Sequence, residues 1–273
     1  MSTKRKLNVA LIKSVVMFFF TIPIAMGSAL SGIGALAVMI PTVEFMLDFK
    51  GDKLKATALM FTLFTSVTAV YGAVSNGVRF QFSEALIIAF GATVGAAIFR
   101  KKMPDARLRQ VQRIGNTGAI LVALITVSEV ARQRIGGPLI LHIPILSDSG
   151  MLLTLSMGFV AGALSHLGGI SSGMLLVPFL LFTRPRATSP VSEAVVLAIA
   201  VVAVASALPT VLYAARKAVD SRVGPWMCFG GAIGGFLGGI FLSKVGPIGT
   251  IPMVVFAFTT MVLSARTLYK MSS

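Results

Sequence analysis

The 273-residue sequence is poor in almost everything that water-facing chemistry uses. It has one cysteine, Cys228, so no disulfide can close within the chain. With two histidines beside that cysteine it cannot build a Cys/His metal centre, and no metal site is expected. Charged residues make up 12% of the chain, against roughly a quarter in an average soluble domain. A soluble fold of this length could not cover its surface with so few charges, which excludes a cytosolic enzyme, a disordered chain and a disulfide scaffold. There is no HExxH, no P-loop, and no GxSxG placed after a strand. Ser165 and His166 are adjacent and make no catalytic dyad, since neighbours on a helix point about 100° apart. No enzymatic activity and no cofactor are expected.

What the chain does have is apolar sequence, 56% of it, and a net charge of +15. The basic residues form short clusters between apolar runs, with no basic helix and no aromatic-interleaved basic strand, so nucleic acid is not an expected partner. In a membrane protein such clusters mark cytoplasmic loops and touch anionic headgroups. The bilayer is therefore the expected surrounding. One crossing of a hydrocarbon core about 30 Å thick takes roughly 20 apolar residues. Apolar segments run over Val9–Leu47, Thr57–Val78, Phe82–Phe99, Ile114–Val130, Met151–Phe182, Val195–Tyr213, Pro225–Leu242 and Thr250–Leu268. Lys4, Arg5 and Lys6 before the first run imitate a signal peptide. No small-residue cleavage site follows and the run continues to Leu47, so it is expected to belong to the mature chain.

The first and fifth segments are too long for one crossing, and each is broken near its middle. The first contains Pro23 and then Gly27-Ser28-Ala29-Leu30-Ser31-Gly32-Ile33-Gly34. The fifth contains Gly162-Ala163-Leu164-Ser165-His166-Leu167-Gly168-Gly169-Ile170-Ser171-Ser172-Gly173. A shift of 137 positions lays Ser28 on Ser165, Leu30 on Leu167, Gly32 on Gly169, Ile33 on Ile170 and Pro41 on Pro178. Gly77-Val78-Arg79 and Ala218-Val219-Asp220 hold similar places farther on. The chain thus divides into a first repeat over 1–131, a linker over 132–150 and a second repeat over 151–273, a pattern typical of secondary transporters. If all eight segments cross once, the 24 Lys and Arg split evenly between the two sides. If segments one and five enter and return as hairpins, three quarters of them fall on one side, as the positive-inside rule requires. The fold expected is an all-α polytopic membrane protein of two inverted repeats, each a broken, re-entrant-like helix hairpin followed by three transmembrane helices. Both termini are then cytoplasmic.

A broken helix frees backbone groups that lipid cannot satisfy, so the breaks must face protein or a water-filled cavity. Half-helix N-termini offer positive dipole ends, glycines allow close approach, and serine hydroxyls add uncharged donors. Two such breaks meeting near mid-membrane would make a small, N–H-rich pocket for a compact anion.

At these residues the chain resembles the TauE/SafE family of sulfite and organosulfonate exporters, whose members carry two copies of a Gly-rich break followed by Leu/Val-Pro. The copies here are Ser28-Ala29-Leu30-Ser31-Gly32-Ile33-Gly34-Ala35-Leu36 with Pro41, and Ser165-His166-Leu167-Gly168-Gly169-Ile170-Ser171-Ser172-Gly173 with Pro178. Lys55-Ala56-Thr57-Ala58-Leu59 is similar to the family's Gly-Thr-Ser helix start. The first copy lacks two glycines of the family's triplet, and the second has serines in their place. The resemblance implies export of a small sulfur oxyanion, or of a short organosulfonate such as sulfoacetate or a related carboxylate, across a bacterial plasma membrane.

The substrate-binding residues expected are Ser28, Ser31, Gly32 and Gly34 from the first break, and Ser165, His166, Gly168, Gly169, Ser171 and Ser172 from the second. Thr57 and Ser192, read as matching helix starts, join them, with ordinary capping as the alternative. His166, with an unperturbed pKa near 6.5, is the candidate for proton coupling, and Glu44 is a second one. A packing histidine is the competing reading. Glu193 follows Ser189-Pro190 and suits the dipole of a first helical turn. Gly230–Gly239 and Gly91–Ala97 are expected to serve close helix packing. The hydroxyls of Thr62, Thr65, Ser66 and Thr68 are expected in part to bond back to the preceding turn. Asn116 and Trp226 are expected at the membrane interface. The functional expectation is a gradient- or potential-driven transporter working by alternating access, as a monomer or homodimer, with the lipid bilayer and a small anion as its partners. An anion channel and a non-transporting membrane scaffold are the alternatives.

Overall fold

A computed structural model describes residues 3–49, 51–98, 150–168, 172–183 and 191–245, with scattered positions between 110 and 124 and between 254 and 269. Every element among them is an α-helix: α1 (Thr3–Ser31), α2 (Leu36–Leu47), α3 (Gly51–Ser75), α4 (Phe82–Ile98), α5 (Gly150–Gly168), α6 (Ser172–Thr183), α7 (Val191–Ala215) and α8 (Gly224–Val245). Ile12–Ser31, Gly51–Ser75, Val191–Ala215 and Gly224–Lys244 are each long and apolar enough to cross a membrane. Phe19, Tyr71, Phe90, Val211 and Phe229 stand exposed. Apolar surface on this scale belongs against lipid rather than water.

The order of lengths recurs. Helices α2 and α6 both have 12 residues, and α3 and α7 both have 25. The ends of α3 and α7 also match. Gly77 and Lys217 take left-handed φ values of +93° and +54°. Each donates its amide three residues back, to Val74 and Ala214, while Val78 and Ala218 reach five back to Ala73 and Tyr213. This paired bond pattern satisfies the last carbonyls of a helix. Gly77 meets the backbone demand without cost. Lys217 does not, but its cation and that of Arg216 complement the negative end of the α7 dipole.

Glycines set the helix packing. Lipid gives apolar side chains no reason to prefer each other, so helices associate through close backbone approach. On α8, Gly230, Gly234 and Gly238 abut Phe18–Thr21, Ile22–Ala25 and Met26–Ala29 of α1, in rising order on both helices. One residue on, Gly231, Gly235 and Gly239 abut Phe61–Thr65, Thr65–Thr68 and Ala69–Ala73 of α3, again in rising order. Helix α8 is therefore wedged between α1 and α3, and all three run parallel. Gly91 and Gly95 of α4 and Gly158 and Gly162 of α5 make a second parallel pair in the same way. Both glycine runs act in packing, as their spacing suggested.

Because α1 and α3 run the same way, both start at one end of the molecule. Helix α2 is the return between them, so the first long segment doubles back within the fold. The two arms are unequal: 20 residues of α1 are apolar enough to cross, whereas α2, at 12 residues, rises only about 18 Å. Asn116 is buried, and Trp226 is exposed in the first turn of α8.

Candidate functional site

The first break is short and closed. Gly32 and Gly34 hold φ values of +70° and +84°, in the left-handed region that only glycine enters freely. They stop α1 and let α2 restart four residues later. The Gly32 amide still donates to Ser28 O at 2.9 Å. Ser31 turns inward on the same turn, its Oγ donating to Ser28 O at 3.3 Å and accepting the Ile33 amide at 3.4 Å. Ser28, Ser31, Gly32, Ile33, Gly34 and Ala35 are all buried. The break therefore faces protein, the condition under which irregular backbone is tolerated at membrane depth. Beyond it, α2 begins at Leu36, and its N-cap residue, Ala35, gives no side-chain cap. The first amides of α2 are thus an uncapped positive end beside a buried bend.

The exit of the second break lies directly on the first. A β-carbon built on Gly173, the second residue of α6, would collide with the carbonyl oxygens of Gly32 and Ile33. One built on Gly32 would come 2.6 Å from Val177 Cγ2 and 3.2 Å from Val195 Cγ1. The fold thus brings together break one, the start of α6 and the start of α7. Ser172 and Ser192 are both buried, each one residue from these contacts or within a turn of them. The contact falls level with the last third of α8, since Ala29 lies against Gly238. It is therefore nearer the end where α8 stops than the end where it starts.

The backbone of Ser165, His166 and Gly168 belongs to the last turn of α5, while the Ser165 and His166 side chains, with Gly169 and Ser171, lie outside the described residues. Ser189-Pro190 lies outside them as well. Glu193 does sit in the first turn of α7, where its charge complements the dipole. Glu44 is half-buried in the last turn of α2, which Asp48 ends with a left-handed φ of +54°.

Thr57 departs from expectation. Helix α3 begins at Gly51, so Thr57 stands in its second turn rather than at its start. The apolar run misplaces the boundary because Asp52, Lys53 and Lys55 are polar yet helical, and an acid in the first turn favours that end. The Thr57 hydroxyl donates to Lys53 O at 2.8 Å and accepts the Asp220 amide at 3.4 Å. Asp220 caps α8 through Oδ1, which accepts the Arg222 and Val223 amides at 2.9 and 2.8 Å, while Oδ2 pairs with Lys53 Nζ at 2.6 Å. Lys53 also lies over the Phe49 ring, 4.1 Å from its centroid. Hydropathy carries no signal for this clamp, because its partners are 167 positions apart. Burial pushes the Asp220 carboxyl up, but the Lys53 hydrogen bond, the two amides and the Lys53 charge together hold it below its ordinary value. A depressed carboxylate stabilises the fold at neutral pH, and that share is lost as pH falls through its folded pKa, below about 4. We expect Asp220→Asn to keep the cap and lose this acid-side decline. Asp220→Ala should cost about 1 kcal/mol more than Asp220→Asn through the lost cap; melting curves at pH 7 and at about pH 3 separate the two.

Of the hydroxyls on α3, Thr62 bonds back to Ala58 O at 2.8 Å and Thr68 to Phe64 O at 2.9 Å. Thr65 Oγ1 is buried with no partner and rests on Gly231. Among the described residues no group of His, Cys, Asp and Glu could hold a metal ion.

A search of curated proteins finds no match to the chain. Residues 154–273, which take in most of α5 and all of α6, α7 and α8, match the family model described as Sulfite exporter TauE/SafE. That match takes in the second break and bears out the resemblance there; the first break lies outside the matched residues.

Proposed function

We propose, on the premise that the second half of this chain is that of the TauE/SafE sulfite exporter family, that the protein is a secondary transporter exporting a small sulfur-containing anion. Sulfite and short organosulfonates such as sulfoacetate are the substrate class, and alternating access is the mechanism. The observation that carries this reading is the seating of Gly173 on the carbonyls of Gly32 and Ile33, which puts two interrupted helices from opposite halves in one place. The uncapped start of α2 beside that contact supplies amide hydrogens and a positive end, which favour an anion over a cation. The substrate is held by Ser28, Ser31, Gly32 and Gly34 on one side and by Ser165, His166, Gly168, Gly169, Ser171 and Ser172 on the other, with Ser192 in the first turn of α7 and Thr57 in the second turn of α3. His166 carries the coupled proton, with Glu44 as the second candidate.

The two repeats are inverted in this reading. Helix α4 follows α3 after only six residues (76–81), a reach of at most about 21 Å. It must therefore set out from the end where α3 stops, and α5 runs parallel to it. Helices α1 and α5 then point in opposite directions, which supports the inversion. Charge supports a sidedness as well. Lys13, Lys53, Lys55, Arg216, Lys217 and Arg222 belong to the end where α1, α3 and α8 begin, and Arg79 and Lys244 to the other. The first end is the cytoplasmic face of a bacterial inner membrane, and the protein works there as a monomer or homodimer.

A break buried on all its described sides suits a carrier that occludes its substrate more than an open channel. The deciding experiment is a thermal-shift screen of purified protein against sulfite, sulfate, thiosulfate, taurine, sulfoacetate and short carboxylates, followed by flux in vesicles. Stabilisation by a sulfur anion with saturable counterflow is expected; conductance that never saturates assigns a channel, and no shift with any anion assigns a scaffold. Ser165→Ala is expected to weaken substrate binding roughly 10- to 100-fold through loss of one hydrogen bond to a charged group. Gly169→Leu should abolish flux while protein still reaches the membrane.

A further inference from the structure

We propose that the seam between α1 and α8, at the end where both begin, is a binding site for one anionic phospholipid. The inference requires only that the chain lie in a bilayer and is independent of the transported substrate.

Four aromatic side chains gather on this seam. Phe18 stacks on Phe229 with centroids 5.8 Å apart and meets Trp226 and Phe19 edge-on at 6.3 and 5.1 Å. Three of them are turned outward: Phe19 is 64%, Phe229 61% and Trp226 43% exposed. Rings pinned against one another yet open on the outside form a stiff shelf that loses little rotamer freedom when a chain lies on it. The shelf stands one to two turns into α8 and about two turns into the apolar span of α1 that starts at Ile12, the depth at which a tryptophan marks the boundary between hydrocarbon and headgroup.

Charge sits at the headgroup level just beyond it. Lys13 and Arg222 are both exposed. Their backbones come close because Ser14, the residue after Lys13, donates from Oγ to the Arg222 carbonyl at 3.3 Å, tying the start of the α1 apolar span to the turn before α8. Asp220, the acid nearest in the chain, is committed to Lys53 and to the α8 cap, so it does not cancel this pair. Two cations above an aromatic shelf match a phosphate on an acyl chain. A second copy of this chain would have to bring acidic groups to the same place, and the described residues carry few acids.

The test is native mass spectrometry and thermal melting of the purified full chain with added dioleoylphosphatidylglycerol or dioleoylphosphatidylcholine. A cation near a membrane surface contributes on the order of a fivefold change in binding, so Lys13→Gln with Arg222→Gln should weaken phosphatidylglycerol binding roughly 30-fold. Phosphatidylcholine binding should hardly change. The pair Arg79→Gln with Lys244→Gln, at the other end of the helices, should leave both lipids bound as in wild type. Phe229→Ala should weaken both lipids alike. Equal binding of the two lipids by wild type, or a Lys13/Arg222 variant that keeps its preference, overturns the proposal. So does a protein dimer that dissociates when Phe19 and Phe229 are replaced, which would give the face to a second copy.

Discussion

Replacing Gly234 by leucine is expected to remove the folded protein altogether. A side chain there runs into the carbonyl of Ile22 and the Ala25 methyl, 2.8 Å from its β-carbon. These are backbone and first-carbon atoms of a packed helix, so nothing can swing aside, and α8 must part from α1 along its length. Overpacking of this kind costs about 3 kcal/mol even where neighbours can adjust, and here they cannot. Lipid offers no hydrophobic penalty for separation, so parted helices stay parted. The measurement is the monodisperse fraction in detergent with its melting temperature. Gly27→Ala is the matched control: it adds the same atom to α1, but nothing lies within 4 Å. It should melt at or slightly above wild type, with a gain of up to about 1 kcal/mol in helix propensity. If Gly234→Leu melts like wild type, the seam is not as tight as its geometry indicates.

The second large effect is expected at Gly173, and it should fall on transport rather than on folding. A β-carbon built on this residue would collide with the carbonyl oxygens of Gly32 and Ile33. An alanine moves the start of α6 off the first break by about the width of a methyl group while α1, α3 and α8 stay locked. In binding sites of fixed geometry a displacement near 1 Å costs on the order of a hundredfold in rate. Gly173→Ala should therefore lose sulfur-anion flux by about that factor with a melting temperature close to wild type. Gly32→Ala tests the same contact from the other side with strain added. A non-glycine residue at φ +70° costs roughly 1–2 kcal/mol, and Val177 crowds its β-carbon, so it should lose both stability and flux. Wild-type flux in Gly173→Ala would remove the contact between the two breaks from the transport site.

Much of this architecture is legible in the chain alone, because a bilayer makes sequence unusually informative. Every backbone group inside it must be bonded within its own helix, so apolar runs of fixed length become helices. The glycines of α8 announce two packing faces through their spacing. The breaks announce themselves by interrupting runs too long to cross once and by recurring at an offset of 137 positions. Counting Lys and Arg was enough to prefer a returning hairpin, and the parallel run of α1 and α3 agrees with it. Thr57 shows where this reading fails. Hydropathy places a boundary where polarity changes, but a helix ends where its hydrogen bonds end, and the first turn and a half of α3 lies outside the apolar run.

What no local pattern could supply is which elements meet. The seating of Gly173 on Gly32, the wedge of α8 between α1 and α3, and the clamp from Lys53 to Asp220 all join residues more than 130 positions apart. Neither partner in any of these pairs carries a mark of the other. Composition and periodicity determined the surroundings, the helices and the repeated interruption, since each depends on a single stretch of chain facing lipid. The contact that forms the candidate site was decided by tertiary packing, because glycines and small hydroxyls carry no binding chemistry until another backbone is brought within contact distance.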